Sequence, residues 1–102
     1  MDTTEKLHAA AGAATSLLKA LANQDRLMLL CQLAEGPHCV SELEEKTGVR
    51  QPTLSQQLTV LRNEELVSTR REGKQIYYSV ASPAALAVLQ TLYEQFCAKE
   101  QA

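Results

Sequence analysis

No apolar run in the chain approaches the roughly 20 residues that a membrane-crossing helix requires, so no membrane span is expected. The opening residues Met1-Asp2-Thr3-Thr4-Glu5-Lys6 also lack the basic segment and apolar block of a secretory signal peptide. A cytoplasmic protein is therefore expected. Cysteine is sparse, three in 102 residues, and in that compartment the thiols are expected to rest reduced and not to staple the fold. A Cys-x-x-Cys redox pair, a Gly-rich phosphate loop and an acid–base constellation containing His are all missing, so no enzyme is expected and no cofactor is called for. Nor is there an internal repeat, a linker or a low-complexity segment, and residues 1–102 read as one domain.

What is present is the composition of an ordinary globular chain, 45% hydrophobic and 22% charged. A domain of this length buries a thin core, and an elongated helical one often completes it by dimerising. The net charge of −2 argues mildly against a nucleic-acid partner, but its distribution is uneven. Residues 1–49 sum to −3, and residues 80–102 to −1. Between them Arg50, Arg62, Arg70, Arg71 and Lys74 outnumber Glu64, Glu65 and Glu72. Local charge governs phosphate contact, so an acidic total does not exclude DNA.

The chain is organised around Gly48 to Glu65. Leu54, Leu58 and Leu61 recur at i, i+4 and i+7, which predicts one buried face of a helix, with Pro52 in the first turn. The other faces carry Gln51, Thr53, Ser55, Gln56, Thr59, Arg62 and Asn63. Amide and hydroxyl side chains of this kind can read base edges in a major groove, although a merely solvated helix face has the same composition. The flanking segments weigh on that choice. Upstream, Val40 and Leu43 predict a short helix ending at Gly48, with Ser41 and Glu44 spaced as a capping box. A short helix, a glycine turn and an amphipathic helix make a helix-turn-helix pattern. Downstream the period changes to 2: Val67 to Arg71, a turn at Glu72-Gly73-Lys74, and a returning strand Gln75 to Val80. Such a hairpin can act as a wing with Arg70, Arg71 and Lys74 on phosphates, or be an ordinary charged tip that keeps an edge soluble.

The rest is helical. Residues 3 to about 22 carry the stripe Ala10, Ala13, Leu17 and Leu21 among many alanines, and Asn23 interrupts them. A second helix runs from about Gln24 to Ala34, with Leu27, Leu30 and Leu33 inward, Cys31 one turn after Leu27, and Gly36-Pro37 ending it. Ser82-Pro83 starts the last helix, whose stripe is Leu86, Leu89, Tyr93 and Phe96, with Cys97 near its end. The first and last helices are the expected dimer surface. The fold class is thus mainly α with a β-hairpin wing, an α+β winged helix-turn-helix.

The order of these elements resembles the ArsR family of winged-helix repressors. The resemblance is carried by Asn23-Gln24-Asp25-Arg26-Leu27, Val40-Ser41-Glu42-Leu43, Gln51-Pro52-Thr53-Leu54-Ser55-Gln56-Gln57-Leu58, Leu61-Arg62 and Arg71-Glu72-Gly73-Lys74-Gln75-Ile76-Tyr77-Tyr78, and it spans residues 15–97. It implies a homodimer that binds a partly palindromic double-stranded operator and leaves it when an inducer arrives, with the helix from Gln51 in the major groove.

The family divides by its sensing site. Its metal-sensing branch places a Cys-x-Cys pair at the start of the third helix; Cys39 matches the first position, but Ser41 occupies the second. One thiolate is too few for a soft-metal site. A second kind of site uses Asp and His on the last helix, and residues 82–97 contain neither. His8 and His38 are isolated and read as surface residues, so no metal site is assigned. Cys31 and Cys97 remain, and their placement resembles the sulfide- and redox-responsive BigR/SqrR subgroup, where a cysteine on each of these helices forms a dithiol switch. That resemblance implies reactive sulfur species or oxidants as inducer and an intrachain disulfide or polysulfide bridge. The competing reading makes each thiol a small core hydrophobe. Cys39 reads as incidental. Two other functions stay open: a metal- or metalloid-responsive repressor of the same fold, and a winged-helix module that binds protein.

Overall fold

The computed structural model describes residues 3–98. Its first helix, α1 (Thr3–Leu21), is long and almost unsupported: residues 3–16 are all exposed, and only Leu17, Ala20 and Leu21 turn into the body. Asn23 ends the interruption by capping α2 (Gln24–Leu33), its side chain accepting the Arg26 N–H at 3.0 Å. Leu30 and Leu33 are buried as the period predicts. Leu29 is fully buried as well, and Leu27 only partly, so the inward face is turned slightly from the predicted stripe.

The chain then makes a strand that periodicity could not show. β1 (His38–Cys39) pairs antiparallel with β3 (Gln75–Val80), His38 opposite Tyr78 and Cys39 opposite Tyr77. β2 (Val67–Glu72) pairs on the other side of β3, so the expected two-stranded wing is one part of a three-stranded sheet ordered β1-β3-β2. Two residues are too few to display an alternation, which is why this strand has no signature of its own. The turn between β2 and β3 is the two residues Gly73 and Lys74, and Gly73 supplies the positive φ of 60°.

β1 leads directly into α3 (Val40–Thr47). The helix therefore starts earlier than the Ser41–Glu44 capping box requires. Cys39 is the capping residue, and Glu42 at the third helical position accepts its backbone N–H at 3.0 Å. His38, expected at the surface, is buried beside this cap. Its Nδ1 donates to the Gly36 carbonyl at 2.7 Å, and Nε2 accepts from Lys46 Nζ at 3.2 Å. Cys39, expected to be incidental, is buried with Sγ 3.3 Å from Ser41 Oγ. Gly48 closes α3 in the left-handed region, φ 77°, and turns the chain into α4 (Thr53–Asn63). Pro52 stands just before the first residue of α4.

The core is made where α2, α3 and α4 meet. Leu29, Leu30, Leu43, Leu54, Leu58 and Leu61 are its largest fully buried side chains. Full burial of one leucine is worth about 1.5–3 kcal/mol, and these six fix how the three short helices cross. Finally α5 (Pro83–Phe96) starts as expected, with Ser82 Oγ accepting the Ala85 N–H at 3.1 Å. Its inward residues are Ala85 and Leu89. Leu86 is half-buried, while Tyr93 and Phe96, predicted in the apolar stripe, are 52% and 69% exposed.

The Glu42 cap generates a stability prediction. Hydrogen bonds from the Cys39 N–H and thiol hold the Glu42 carboxyl below its ordinary value of 4.5, with weaker help from His38 and Lys46. The unfolded chain therefore takes up this proton first, and the contribution is complete above that value and lost as the pH falls through the lower, folded one. Urea denaturation followed by circular dichroism across pH 3–7 is expected to show a smaller loss of stability on acidification for Glu42→Gln than for wild type. Parallel profiles for the two proteins would contradict the assignment.

Candidate nucleic-acid interface and thiol pair

The burial of Leu54, Leu58 and Leu61 dictates which side of α4 faces solvent. Gln51, Ser55, Gln56, Thr59 and Arg62 are all exposed, and Thr53 is half-buried at the first turn. Two of these side chains are partly engaged by the helix itself. Gln51 Oε1 accepts the Ser55 N–H at 3.1 Å, and Thr59 Oγ1 donates to the Ser55 carbonyl at 2.9 Å. The Gln51 amide still has two N–H donors to offer and the Thr59 hydroxyl two lone pairs, enough for contact with base edges or phosphates. Gln57, which composition alone does not distinguish from Gln56, turns inward instead and accepts from Arg26 Nη1 at 2.9 Å.

On the wing, alternation along β2 sends Arg70 and Arg71 to opposite faces. Arg70 lies with its guanidinium 5.9 Å from the Tyr77 ring centre and bonds Glu72 Oε2 at 2.9 Å. This ion pair is solvent-exposed and of a kind worth about 0–1 kcal/mol, so a phosphate could replace Glu72 at little cost. Arg71 Nε donates to the Gly73 carbonyl at 3.2 Å, which steadies its side chain at the tip, and Lys74 is exposed in the turn. The three cations named from the sequence thus cluster at the wing's end but do not share one face.

The three thiols fall into two environments. Cys39 is buried at the start of α3. Cys31 on α2 and Cys97 at the end of α5 each keep exposed surface. Partial burial raises the Cys31 pKa, and the neighbouring charge of Cys97 raises it further. Cys97 is thus close enough to act on the charge of Cys31. Among the described residues no three His, Cys, Asp or Glu side chains gather as metal ligands would. No helix among them is long and apolar enough to cross a membrane.

The surface of α1 and α5 carries apolar side chains without cover. Leu7 and Leu18 on α1 join Tyr93 and Phe96 on α5 as exposed large hydrophobics. A groove of about 450 Å³ opens between α1 and the start of α5, lined by Ala10, Ala13, Ala14, Leu17, Leu66 and Ala84 among others. The radius of gyration is 15.1 Å, against about 13 Å for a compact chain of this length, because α1 reaches outward.

Comparison with known proteins agrees with this architecture. Residues 17–69 match the family model described as bacterial regulatory protein, arsR family. The chain is 55% identical over 85 residues to the biofilm growth-associated repressor of Agrobacterium fabrum, covering 83% of this chain and 73% of that one. Its structure superposes on the crystal structure of the transcriptional repressor BigR from Xylella fastidiosa with a TM-score of 0.88 at 46% identity, covering 95% of this chain and 99% of that one. It also superposes on reduced HlyU from Vibrio cholerae with a TM-score of 0.86 at 34% identity, over 91% and 98% of the two chains.

Thiolate, not thiol, is the reacting form. A brief pulse of N-ethylmaleimide at neutral pH, read by peptide mass spectrometry, is expected to label the exposed Cys31 and Cys97 before the buried Cys39. Fast labelling of Cys39 would contradict its burial.

Proposed function

This chain belongs to the arsR family of bacterial regulatory proteins, and on that footing we propose that it is a homodimeric DNA-binding repressor whose Cys31 and Cys97 release it from its operator. It is a regulator and not an enzyme. In this reading α4 enters the major groove. Gln51, Thr53, Ser55, Gln56 and Thr59 are the candidates for base contact, and Arg62, Arg70, Arg71 and Lys74 the candidates for phosphate. The operator is partly palindromic, because a two-fold dimer presents two reading helices about 34–36 Å apart. The unsupported length of α1 and the exposed Tyr93 and Phe96 of α5 support pairing of subunits through these two helices.

The observation that supports the sensing half is that Cys31 and Cys97 are the two exposed thiols, with Cys39 buried elsewhere; the rise of the Cys31 pKa, caused by burial first and by Cys97 second, agrees with their being neighbours. The inducer's sulfane sulfur is the oxidant. The thiolate of Cys97 attacks the terminal sulfur of a persulfide; its S–S bond breaks and a thiolate leaves. Cys31 then attacks the Cys97 sulfur and displaces hydrosulfide. Two thiols have lost two protons and two electrons, and the persulfide has been reduced to a thiol and hydrogen sulfide. A direct bridge needs Cα atoms about 4.4–6.8 Å apart, and insertion of further sulfur relaxes that demand. Closing the bridge draws the end of α5 onto α2. Because α5 belongs to the proposed subunit interface, the spacing of the two reading helices changes with it. A coupling of about 1–3 kcal/mol lowers operator affinity about 5–150-fold.

Gel-shift titration with the gene's own upstream DNA tests both halves. The reduced protein is expected to bind, and polysulfide treatment to weaken binding by a factor in that range. Cys31→Ser and Cys97→Ser proteins are expected to bind and to ignore polysulfide, and mass spectrometry of the treated wild type to find Cys31 joined to Cys97 within one chain. A bridge through Cys39, or variants that still respond, would contradict the assignment of the pair. Weakening by zinc or arsenite, reversed by a chelator, would favour a metal-responsive repressor instead.

A further inference from the structure

Arg26, at the third position of α2, is half-buried and spends its guanidinium inside the protein. Nε donates to the Ala20 carbonyl at 2.7 Å and Nη2 to the Lys19 carbonyl at 3.1 Å. Both carbonyls belong to the last turn of α1, where helical partners run out and the helix dipole is negative, so a cation is doubly suited there. Nη1 donates to Gln57 Oε1 at 2.9 Å, in the middle of α4. One planar, rigid fork thus joins the end of the proposed dimer helix to the proposed reading helix across a separation of 31 residues in sequence.

The leucine core that otherwise holds α4 fixes which face is buried but makes no directional bond against a roll of the helix. The hydrogen bonds of Arg26 supply the missing direction. We propose that Arg26 is a positioning residue for DNA recognition, which sets the roll of α4 against α1 through Gln57. The inference rests on the DNA-binding reading above. It makes the pose of Ser55, Gln56 and Thr59 depend on where α1 ends, and so on how two subunits pair. Three of the five guanidinium N–H donors of Arg26 go to Lys19, Ala20 and Gln57, and in this reading its work is inside the subunit and not on phosphate.

Fluorescence anisotropy with a labelled upstream DNA fragment, in a series of salt concentrations, tests this on the intact protein. Gln57→Met keeps the side chain's length and removes its acceptor, leaving the Arg26 bonds to α1 in place. It is expected to weaken binding about tenfold. The slope of log K against log salt should not change, because no phosphate contact has been removed. Arg26→Lys keeps the charge but cannot reach three acceptors, and is expected to weaken binding to a similar degree with the dimer intact by sedimentation. The double variant should bind little worse than either single one, because both remove the same tie. Three results would overturn the inference: unchanged affinity in Gln57→Met even if its melting temperature falls, a salt slope smaller by about one in Arg26→Gln, which removes the charge, or fully additive losses. If Arg26→Lys does not fold, the affinity and slope of Gln57→Met decide alone. A wild type that binds no upstream DNA overturns the DNA-binding reading and this inference with it, and is told apart because the unaltered protein is already silent.

Discussion

Removal of Leu54, Leu58 and Leu61 from water, against Leu29, Leu30 and Leu43, is the constraint on which the rest of the molecule depends. The three helices that contribute these residues have 10, 8 and 11 residues. Helices that short are marginal in isolation, so each exists because its apolar face is covered by the other two. The polar side of α4 is then exposed as a geometrical consequence. Nothing in Gln56, Ser55 or Thr59 selects their outward position; the leucines one or two residues away do.

Much of this was legible from the residues. The 3.6-residue period located the faces of α2 and α4, the change to a period of 2 located β2 and β3, and Ser82-Pro83 marked the start of α5. The features that were not legible share a cause, namely that they are made by partners distant in sequence. β1 is two residues long and is a strand only because β3 lies beside it. That pairing sets where α3 begins, and so moves the cap from Ser41 and Glu44 to Cys39 and Glu42. It also buries His38, which has no local reason to be inside. The period of the leucines sets Gln56 outward and Gln57 beside the buried stripe, but the partner that Gln57 finds there, Arg26, lies 31 positions away and has no local signature. Of the apolar stripe expected on α5, Leu89 is buried and Leu86 half-buried, Ala85 takes the other inward place, and Tyr93 and Phe96 are exposed within one subunit.

The thiols illustrate the same division between local and distant causes. Sequence offers three cysteines of equal standing, and resemblance to a family is what singled out Cys31 and Cys97. Burial then separates Cys39 from the other two on independent grounds. The charge coupling between Cys31 and Cys97 is a statement about two helices that lie more than sixty positions apart in the chain, and no spacing rule could have supplied it.

The short strand β1 has a mechanical consequence. It is hydrogen-bonded along β3 and passes into α3 with no intervening residue, and α3 in turn reaches α4 through a tight glycine corner. Hairpin tip and recognition surface are thereby welded into one stiff body within a subunit. Such a body meets a duplex as a calliper jaw of fixed profile. In the proposed pairing, the play that an assembled pair has for operators of differing length resides at the seam between the two jaws, which takes in the thiol-bearing end of α5.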